Sequence, residues 1–412
     1  MHEAHLNKSY SSFVVALLLL FPVVINSVKI LGNLILLILV LIGAYIAIKE
    51  QQNPFKIPEL KLLSWITVGY FLIMLLSILI ANGINADFHH LGRKLQFLLA
   101  PLVALTIYRA NLSIQHLLLS LKIGLILIGI VTLVQFVFGH PRPSGMINAN
   151  IFGDLAVAMF FLSIVRVFKE NRQEQLLSLV ASTLGLTAII LSASRGSWLS
   201  FLILAVIYLI IIYPQFLKGY RKRQVSFLLL ISIILGVVVP QTSMVQKVGT
   251  AINNIQDWQE GDTKFSSSGV RMEMWKSGVL AAADAPWFGY GYRNANEVAA
   301  KYAIQNHERI TGFTHLHNEY ITNLVSAGFV GLMSLLTLLL VPLIIFVRKI
   351  KSQKQHHYAL MGVMLCVGYI TFGFTHIAFG EEHVNAFYVL FLSILLPAMG
   401  KTQASLVVVK NL

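Results

Sequence analysis

Two histidines lie two positions apart at the start of an apolar run, in the segment THLHNEYITNLVSAGFVG (314–331). Asn318 and Glu319 directly follow His317. A neutral imidazole can take a proton from a sugar hydroxyl near neutral pH. The spacing of His315 and His317 is not that of the HExxH zinc motif, and in a helix the two side chains would point to different sides. The segment therefore predicts a general base and no metal site.

Two arginines lie in surroundings that suit an anion. Arg195 is flanked by small residues in SASRGSW (192–198), which leaves its guanidinium and the nearby backbone accessible. Arg271 falls in the first turn of a predicted helix, where free N–H groups and the helix dipole also favour anions. Each arginine alone could equally be an exposed or snorkelling charge. Because arginine stays charged and can hold phosphate through two hydrogen bonds, the pair predicts a site for a diphosphate headgroup.

Further cations and amides lie in two other segments. The hairpin GHPRPSGMINANIFGD (139–154) carries an arginine and two asparagines, and ADFHHLGRK (86–94) carries two histidines, an arginine and a lysine. Taken singly, these segments could be an ordinary turn and a group of residues at the lipid headgroups. Taken together with the two arginines, they predict a ring of donors on one side of the molecule. We expect substrate contacts from Arg142, Asn148, Asn150, Arg93, Lys94, His315 and Asn318.

The elements that must position these groups are membrane helices. Of the 412 residues, 57% are hydrophobic and 12% are charged, whereas soluble domains have about 25% charged residues. Apolar runs such as NLILLILVLIGAYIAI are long enough to cross a hydrocarbon layer of about 30 Å as helices. We therefore predict an all-α polytopic membrane protein with twelve spans, near residues 12–27, 30–48, 62–81, 96–109, 117–138, 151–168, 175–192, 196–213, 225–241, 329–347, 357–377 and 384–399.

The net charge is +14, and the basic residues are distributed among the linkers as a membrane topology predicts. Basic linkers such as LKGYRKRQ (217–224) and VRKIKSQKQHH (347–357) follow even-numbered spans, and the linkers after odd-numbered spans hold few Lys or Arg residues. By the positive-inside rule, both termini are then cytoplasmic and the odd linkers face outward. We expect the basic linkers to contact membrane lipids, and we expect no nucleic-acid partner.

One long outward loop separates two groups of spans. The predicted division is 1–241 for spans one to nine, 242–327 for a loop with short helices that forms part of the active site, and 328–412 for spans ten to twelve and a cytoplasmic tail. Within the loop, apolar spacing predicts a helix from about Val270 to Asp284, and FGYGY (288–292) predicts a turn that needs glycine. The single cysteine, Cys366, falls in a predicted span, so we expect no disulfide and no cysteine metal site.

The order of the motifs resembles that of a known family. Arg195 in its small-residue hairpin is followed by R-x-x-x-W, P-x-x-G-x-G, H-N-x-Y and G-x-x-G, in a chain with about twelve predicted spans. This arrangement resembles the O-antigen ligase/polymerase superfamily of membrane glycosyltransferases, most closely the O-antigen ligases. The motif residues are Arg271, Trp275, Pro286, Gly289, Gly291, His317, Asn318, Tyr320, Gly328 and Gly331.

The resemblance implies a function and a set of roles. It implies transfer of O-antigen polysaccharide from undecaprenyl diphosphate to the lipid A–core oligosaccharide, with inversion and without a metal or other cofactor. Arg195 and Arg271 would hold the donor diphosphate, and His317 would be the catalytic base. The protein would be a multi-pass protein of the inner membrane of a Gram-negative bacterium, with its outward loop and active site in the periplasm.

Other functions remain open at the level of sequence. O-antigen polymerases and protein O-oligosaccharyltransferases belong to the same superfamily, although the latter tend to be longer. A transporter or flippase for lipid-linked glycans would use the same arginines to bind an anionic substrate. Such a protein needs access from both faces, and the apolar runs carry no obvious polar residues at mid-depth, which favours a one-sided site.

Overall fold

The computed structural model describes residues 8–82, 88–110, 112–167, 170–216, 267–304, 307–351 and 356–400, together with residues 246, 249–250, 253–254, 256 and 258. Within these residues the chain is all-helical and has no strand. The ninth predicted span, 225–241, lies outside the described residues. The helices are α1 (Lys8–Val24), α2 (Lys29–Lys49), α3 (Pro58–Asn82), α4 (His89–Gly92), α5 (Leu95–Ala110), α6 (Ile114–Val137), α7 (Ala149–Ser163), α8 (Arg172–Leu191), α9 (Arg195–Phe216), α10 (Ser267–Asp284), α11 (Ala295–Lys301), α12 (His307–Thr311), α13 (Glu319–Lys349), α14 (His356–Gly373) and α15 (Glu382–Ala398).

Seven helical segments in the described part of the chain are long and apolar enough to cross a membrane. They comprise α2, α3, the segment His89–Ala110 that joins α4 and α5, α6, α8, α9 and α13. Three shorter apolar helices, α1, α7 and α15, join them in the bundle. The chain is therefore a polytopic α-helical protein by length and composition, with seven segments where the sequence predicts twelve spans.

Two short apolar helices lie at the centre of the bundle. Every residue of α7 except Asn150 is buried, and so is every residue of α15 from His383 to Pro397. Neither helix has a continuous polar face, and a helix of this kind is buried on all sides by its neighbours. Helix α7 packs against α6, α8, α9 and α14, and α15 packs against α2, α3, α5 and α14. Polar residues at the ends of these two helices are therefore held in place by the core.

A second, smaller core lies between α10, α11, α12 and the start of α13. It contains Val270, Met274, Ile310, Leu316 and Val325, and its other buried members are five alanines of α10 and α11. Helix α10 ends at Asp284, as the sequence predicts, but it begins at Ser267 rather than near Val270. Arg271 is consequently the fifth residue of the helix and not part of its first turn.

Helix α13 is interrupted at Gly328, which has φ +65° and ψ −165°. The turn 286–291 docks into this interruption: Phe329 N donates to the Pro286 carbonyl, and Tyr290 N donates to the Val325 carbonyl. A Cβ atom on Gly328 would lie 2.3 Å from the Trp287 carbonyl, so only glycine allows this contact. The predicted turn at FGYGY is confirmed, since Gly289 and Gly291 have positive φ. The turn 286–291 and the interruption at Gly328 therefore form one contact between α10 and α13, which we call the glycine joint.

Candidate functional site

Three arginines line one cavity of about 420 Å³ at the ends of α7, α9 and α10. Its other lining residues are mostly polar, and they include one buried carboxylate and one histidine from a distant part of the chain. We refer to it as the arginine cavity. Its lining residues are Arg142, Asn150, Asp154, Ala193, Ser194, Arg195, Gly196, Thr250, Asn254, Arg271, Thr375 and His376.

Arg142 is fixed by neighbours of the same site. Its Nε donates to the Ser192 carbonyl at 3.3 Å, and one Nη donates to Asn150 Oδ1 at 2.9 Å. Burial and the nearby charge of Arg195 lower the pKa of Arg142. Burial, Arg195 and Arg142 likewise lower the pKa of Arg271. The three guanidinium groups thus lie close enough to repel one another, and an anion between them would relieve that repulsion.

A chain of hydrogen bonds holds the turn before Arg195. The Ser197 hydroxyl donates to Asp154 Oδ1 at 2.7 Å and also lies 2.9 Å from Ser194 Oγ. Ala193, inside the same turn, has φ +54°, which is uncommon for a residue with a side chain. Asp154 is 5% exposed and belongs to α7. The buried helix α7 therefore sets the position from which Arg195 projects.

Three histidines meet beside the arginine cavity. The ring centroids of His315 and His317 are 4.4 Å apart, those of His315 and His376 are 5.5 Å apart, and those of His317 and His376 are 6.2 Å apart. One possible ligand nitrogen from each ring lies within 4.8 Å of the other two. We refer to these residues as the histidine cluster. Only His376 among them lines the arginine cavity, and His317 lines neither of the cavities described here.

The main chain of Leu316 fixes the two histidines that flank it. The Leu316 side chain is fully buried in the second core. Its carbonyl accepts a hydrogen bond from Trp275 Nε1 at 3.0 Å, and its N–H donates to Thr322 Oγ1 at 3.3 Å. His317 has φ +51°, in the left-handed region. A backbone conformation of this kind costs about 1–3 kcal/mol and is frequent at functional sites.

His376 reaches the cluster from the connection between α14 and α15. This connection is tied to the start of α13, since Phe379 N donates to Glu319 Oε2 at 3.0 Å. Asn318 Nδ2 also donates to the Phe374 carbonyl at 3.2 Å. The side chains that follow His317 in sequence thus hold the segment carrying His376, and neither of them hydrogen-bonds the His317 ring.

The cluster is neutral at physiological pH. Burial, His315 and Arg271 lower the pKa of His317 to about 2. Burial and Arg271 lower the pKa of His315 to about 4, and burial and His315 lower that of His376 to about 3. Both ring nitrogens of His376, Nε2 of His315 and Nδ1 of His317 are buried without a hydrogen-bond partner among the described residues. Each ring therefore has a nitrogen that no group of the described residues uses.

A second cavity, of about 50 Å³, lies on the other side of the cluster. His315 and His376 line it together with Arg93 and Lys94. The Lys94 ammonium is buried and donates to Tyr70 Oη at 2.9 Å and to the Phe379 carbonyl at 3.3 Å. Arg93 donates to the Gly380 carbonyl at 3.0 Å. Both cations thus also serve to hold the segment after His376.

The predicted site residues fall into three groups. Arg195, Arg271, Arg142 and Asn150 share the arginine cavity, and Arg93, Lys94 and His315 share the second cavity. His317 packs against His315. The other two residues, Asn148 and Asn318, lie in neither cavity and act as helix N-caps. The Asn148 side chain accepts from Asn150 N, and the Asn318 side chain accepts from Ile321 N.

Sequence reasoning missed Asp154 and His376. Asp154 lies in the quoted hairpin segment, four residues after Asn150, and its burial in an apolar helix is the signal that could have drawn attention to it. His376 lies between two predicted spans and has no local motif around it. Its place in the site follows from packing between α13 and α14, which the sequence does not display.

Two comparisons show which known proteins the chain is similar to. A family model described as O-Antigen ligase matches residues 180–336 of the chain. The match supports membership of the chain in the O-antigen ligase superfamily. The chain is also 26% identical over 333 residues to an uncharacterized protein of Haemophilus influenzae, an alignment that covers 77% of this chain and 81% of that protein.

The segment matched to the O-antigen ligase family contains part of the site. Arg195, Arg271 and His317 lie inside it, together with the glycine joint at Gly328. His376 lies outside it. The arginine cavity and the histidine cluster are therefore completed by residues from α7 and from the connection between α14 and α15.

Proposed function

We propose that this protein is a membrane glycosyltransferase that moves O-antigen polysaccharide from undecaprenyl diphosphate to the lipid A–core oligosaccharide. In this proposal the chain crosses the inner membrane of a Gram-negative bacterium about twelve times. The segment 242–327 lies in the periplasm, where the site faces both the donor and the acceptor. Membership in the O-antigen ligase superfamily supports the reaction class.

The observation that carries the proposal is the arginine cavity. Three guanidinium groups line it, from Arg142, Arg195 and Arg271. A diphosphate presents several anionic oxygens that guanidinium groups bind with paired hydrogen bonds. The cavity volume of about 420 Å³ lies within the range of about 300–1,000 Å³ that is usual for ligand pockets. The donor headgroup would bind here while its lipid stays in the bilayer.

The proposed reaction is a single displacement at the anomeric carbon of the donor sugar. His317 accepts the proton of an acceptor hydroxyl, and the hydroxyl oxygen forms a bond to that carbon. The bond between the carbon and the diphosphate oxygen breaks, so undecaprenyl diphosphate leaves with the electron pair and the configuration inverts. The arginines stabilise the charge on the leaving group.

The two parts of the site would act together in this reaction. Burial lowers the pKa of His317, and the charges of His315 and Arg271 add to this effect, so Arg271 opposes proton uptake by His317. A diphosphate bound at Arg271 offsets that charge and makes His317 a stronger base. His376 lies between the parts, because it lines the arginine cavity and its ring stacks at 29° against that of His317. Donor binding would thus prepare the base for the acceptor.

The alternatives within the superfamily differ in the acceptor. An O-antigen polymerase transfers to another lipid-linked glycan, and a protein O-oligosaccharyltransferase transfers to a protein hydroxyl. A transporter of lipid-linked glycans uses the same cations without bond formation. The position of the arginine cavity at the ends of α7 and α9 favours a one-sided site over a transport path.

The experiment that tests this function supplies purified protein with the undecaprenyl diphosphate-linked donor and with lipid A–core, lipid-linked glycan or protein acceptors in turn. We expect glycosylated lipid A–core to form without any ion gradient. Product with only one of the other acceptors would select the corresponding alternative. Donor uptake into vesicles without any product would select the transporter.

A further inference from the structure

The histidine cluster has the composition of a transition-metal site. Its three rings come from two separate connections, residues 312–318 before α13 and residues 374–381 before α15. His376 is 8% exposed, and neither of its ring nitrogens has a hydrogen-bond partner among the described residues. Buried imidazole nitrogens normally have a partner, so a cluster of such nitrogens indicates space for a ligand that accepts their lone pairs.

The geometry points to a reversible Zn²⁺ site formed by His315, His317 and His376, whose occupancy blocks the base. Three histidines that leave a fourth position open are a known zinc ligand set. Tetrahedral zinc with Zn–N bonds of about 2.0 Å needs nitrogens about 3.4 Å apart. The ligand nitrogens lie within 4.8 Å of one another, and rotation of the rings closes the remaining distance.

The charges around the cluster decide how tightly the ion is held. Burial and the charges of Arg271 and Arg93 lower the pKa of His315, so burial and both arginines oppose a cation there. Glu381 lines the second cavity together with His315 and His376, and its carboxylate would favour a cation there. A diphosphate in the arginine cavity would also favour the ion. We therefore expect a site that binds and releases zinc, rather than a permanent structural site.

Zinc at this position would stop the proposed reaction. A neutral imidazole has one lone pair on its ring nitrogens, and coordination uses it. A zinc-bound His317 therefore cannot take the proton of the acceptor hydroxyl. This consequence rests on the proposed function of His317, whereas the binding of zinc rests only on the three rings.

Metal content tests the binding directly. The full-length protein in detergent is freed of metal with chelator, incubated with ZnCl₂, desalted and analysed for zinc per chain. We expect one zinc in the wild type and a melting temperature raised by the bound ion. His376→Ala should lower zinc affinity by at least about tenfold, because even partners outside the ligand shell contribute factors of about 10–100.

Two more variants serve as controls for the zinc measurement. His315→Gln changes a partly exposed ring and should lose zinc in the same way as His376→Ala. Because this substitution is not in the buried ring, its loss of zinc cannot be explained by misfolding of the His376→Ala variant. His116→Ala removes an exposed histidine on α6 and should keep the full zinc content. Equal zinc retention in the wild type and in both cluster variants would overturn the site, as would no retention by the wild type.

Transfer assays test the consequence. We expect half-inhibition at the zinc concentration that gives half-occupancy, recovery on adding chelator, and no inhibition by Mg²⁺, which prefers oxygen ligands. A full zinc site with an unchanged transfer rate would overturn the inferred block. If the zinc-free protein transfers glycan to none of the acceptors, the proposed function is contradicted. The measured zinc content would still show whether the three histidines bind zinc.

Discussion

The arginine cavity and the histidine cluster adjoin each other but are built in different ways. Arg142 donates to Asn150, eight residues away, and to the Ser192 carbonyl, and the turn before Arg195 is held by Asp154 of α7. The histidine cluster is held by contacts across the chain, with Trp275 and Leu316 separated by 41 residues and Glu319 and Phe379 by 60. Both regions thus depend on contacts between distant segments, but the arginine cavity takes them from the buried helix α7 and the histidine cluster takes them from α10 and the connection before α15.

The largest expected effect comes from the base itself. His317→Ala should lower the rate of glycan transfer by about 10²–10⁴-fold, the contribution of a well-placed general base. His315→Ala should cause a smaller loss, since its ring supports the cluster without taking the proton. The measurement is single-turnover transfer with purified variants. An inactive His315→Ala beside an active His317→Ala would assign the base to the other ring.

The arginine cavity should be nearly as sensitive to a change of geometry at constant charge. Arg195→Lys and Arg271→Lys keep the positive charge but lose the paired hydrogen bonds to phosphate. We expect each to lower transfer by about 10²–10³-fold, with expression and membrane insertion unchanged. Arg172→Lys, at an exposed position on α8, is the matched control. Near-normal transfer rates in both cavity variants would show that neither arginine binds phosphate through paired hydrogen bonds.

The joint between the turn 286–291 and α13 should show its effect in stability. Gly328→Ala places a Cβ atom 2.3 Å from the Trp287 carbonyl, at a backbone conformation almost exclusive to glycine. We expect a loss of about 1–3 kcal/mol in the free energy of unfolding, measured by thermal unfolding in detergent. Gly69→Ala is the control, because a Cβ there meets no atom within 4 Å. Equal melting temperatures for the two variants would contradict the described joint.

The hydrogen bond from Trp275 to Leu316 should have a smaller effect on both regions. Trp275→Phe keeps an aromatic ring but removes the donor to the carbonyl between the two histidines. The expected cost is about 1 kcal/mol of stability, together with a moderate loss of transfer and unchanged donor binding. Trp65→Phe, at an exposed tryptophan of α3, should leave stability, transfer and donor binding unchanged. Weaker donor binding in Trp275→Phe would mean that the two regions are not separable.

The smallest expected effect is that of a chelator. The arginines supply the charge that a divalent metal would otherwise supply in the proposed reaction, so transfer should persist in excess EDTA. Any zinc carried by the histidine cluster would be removed, so the rate should stay the same or rise. Complete loss of transfer that Mg²⁺ or Mn²⁺ restores would contradict catalysis by the arginine cavity.

These differences explain how much the sequence could predict. The helical class and the turn at 288–292 follow from composition, apolar runs and glycine spacing, which are local properties. The sequence singles out Arg195 and Arg142 in predicted hairpins and Arg271 at the start of a predicted helix, and the structure places all three in one cavity. Among the described residues, seven segments are long enough to span the membrane, and central helices such as α7 are short and buried by their neighbours.

The sequence could not predict the histidine cluster. His315 and His317 would diverge in a helix, but they precede α13 and have a left-handed residue at His317, so their rings meet. Asn318 caps α13 and donates to the Phe374 carbonyl, and its contact with substrate stays a prediction. His376 joins through a contact between connections about 60 residues apart, for which a single sequence gives no signal.

Donor binding tests the central claim, which is that one region holds the diphosphate and the other supplies the base. The dissociation constant of the undecaprenyl diphosphate-linked donor is measured for the wild type, His317→Ala and Arg271→Lys in the same detergent. We predict an unchanged constant for His317→Ala and at least about a tenfold weaker one for Arg271→Lys, equal to about 1.4 kcal/mol. If His317→Ala weakens donor binding as much as Arg271→Lys does, the division between the two regions is wrong.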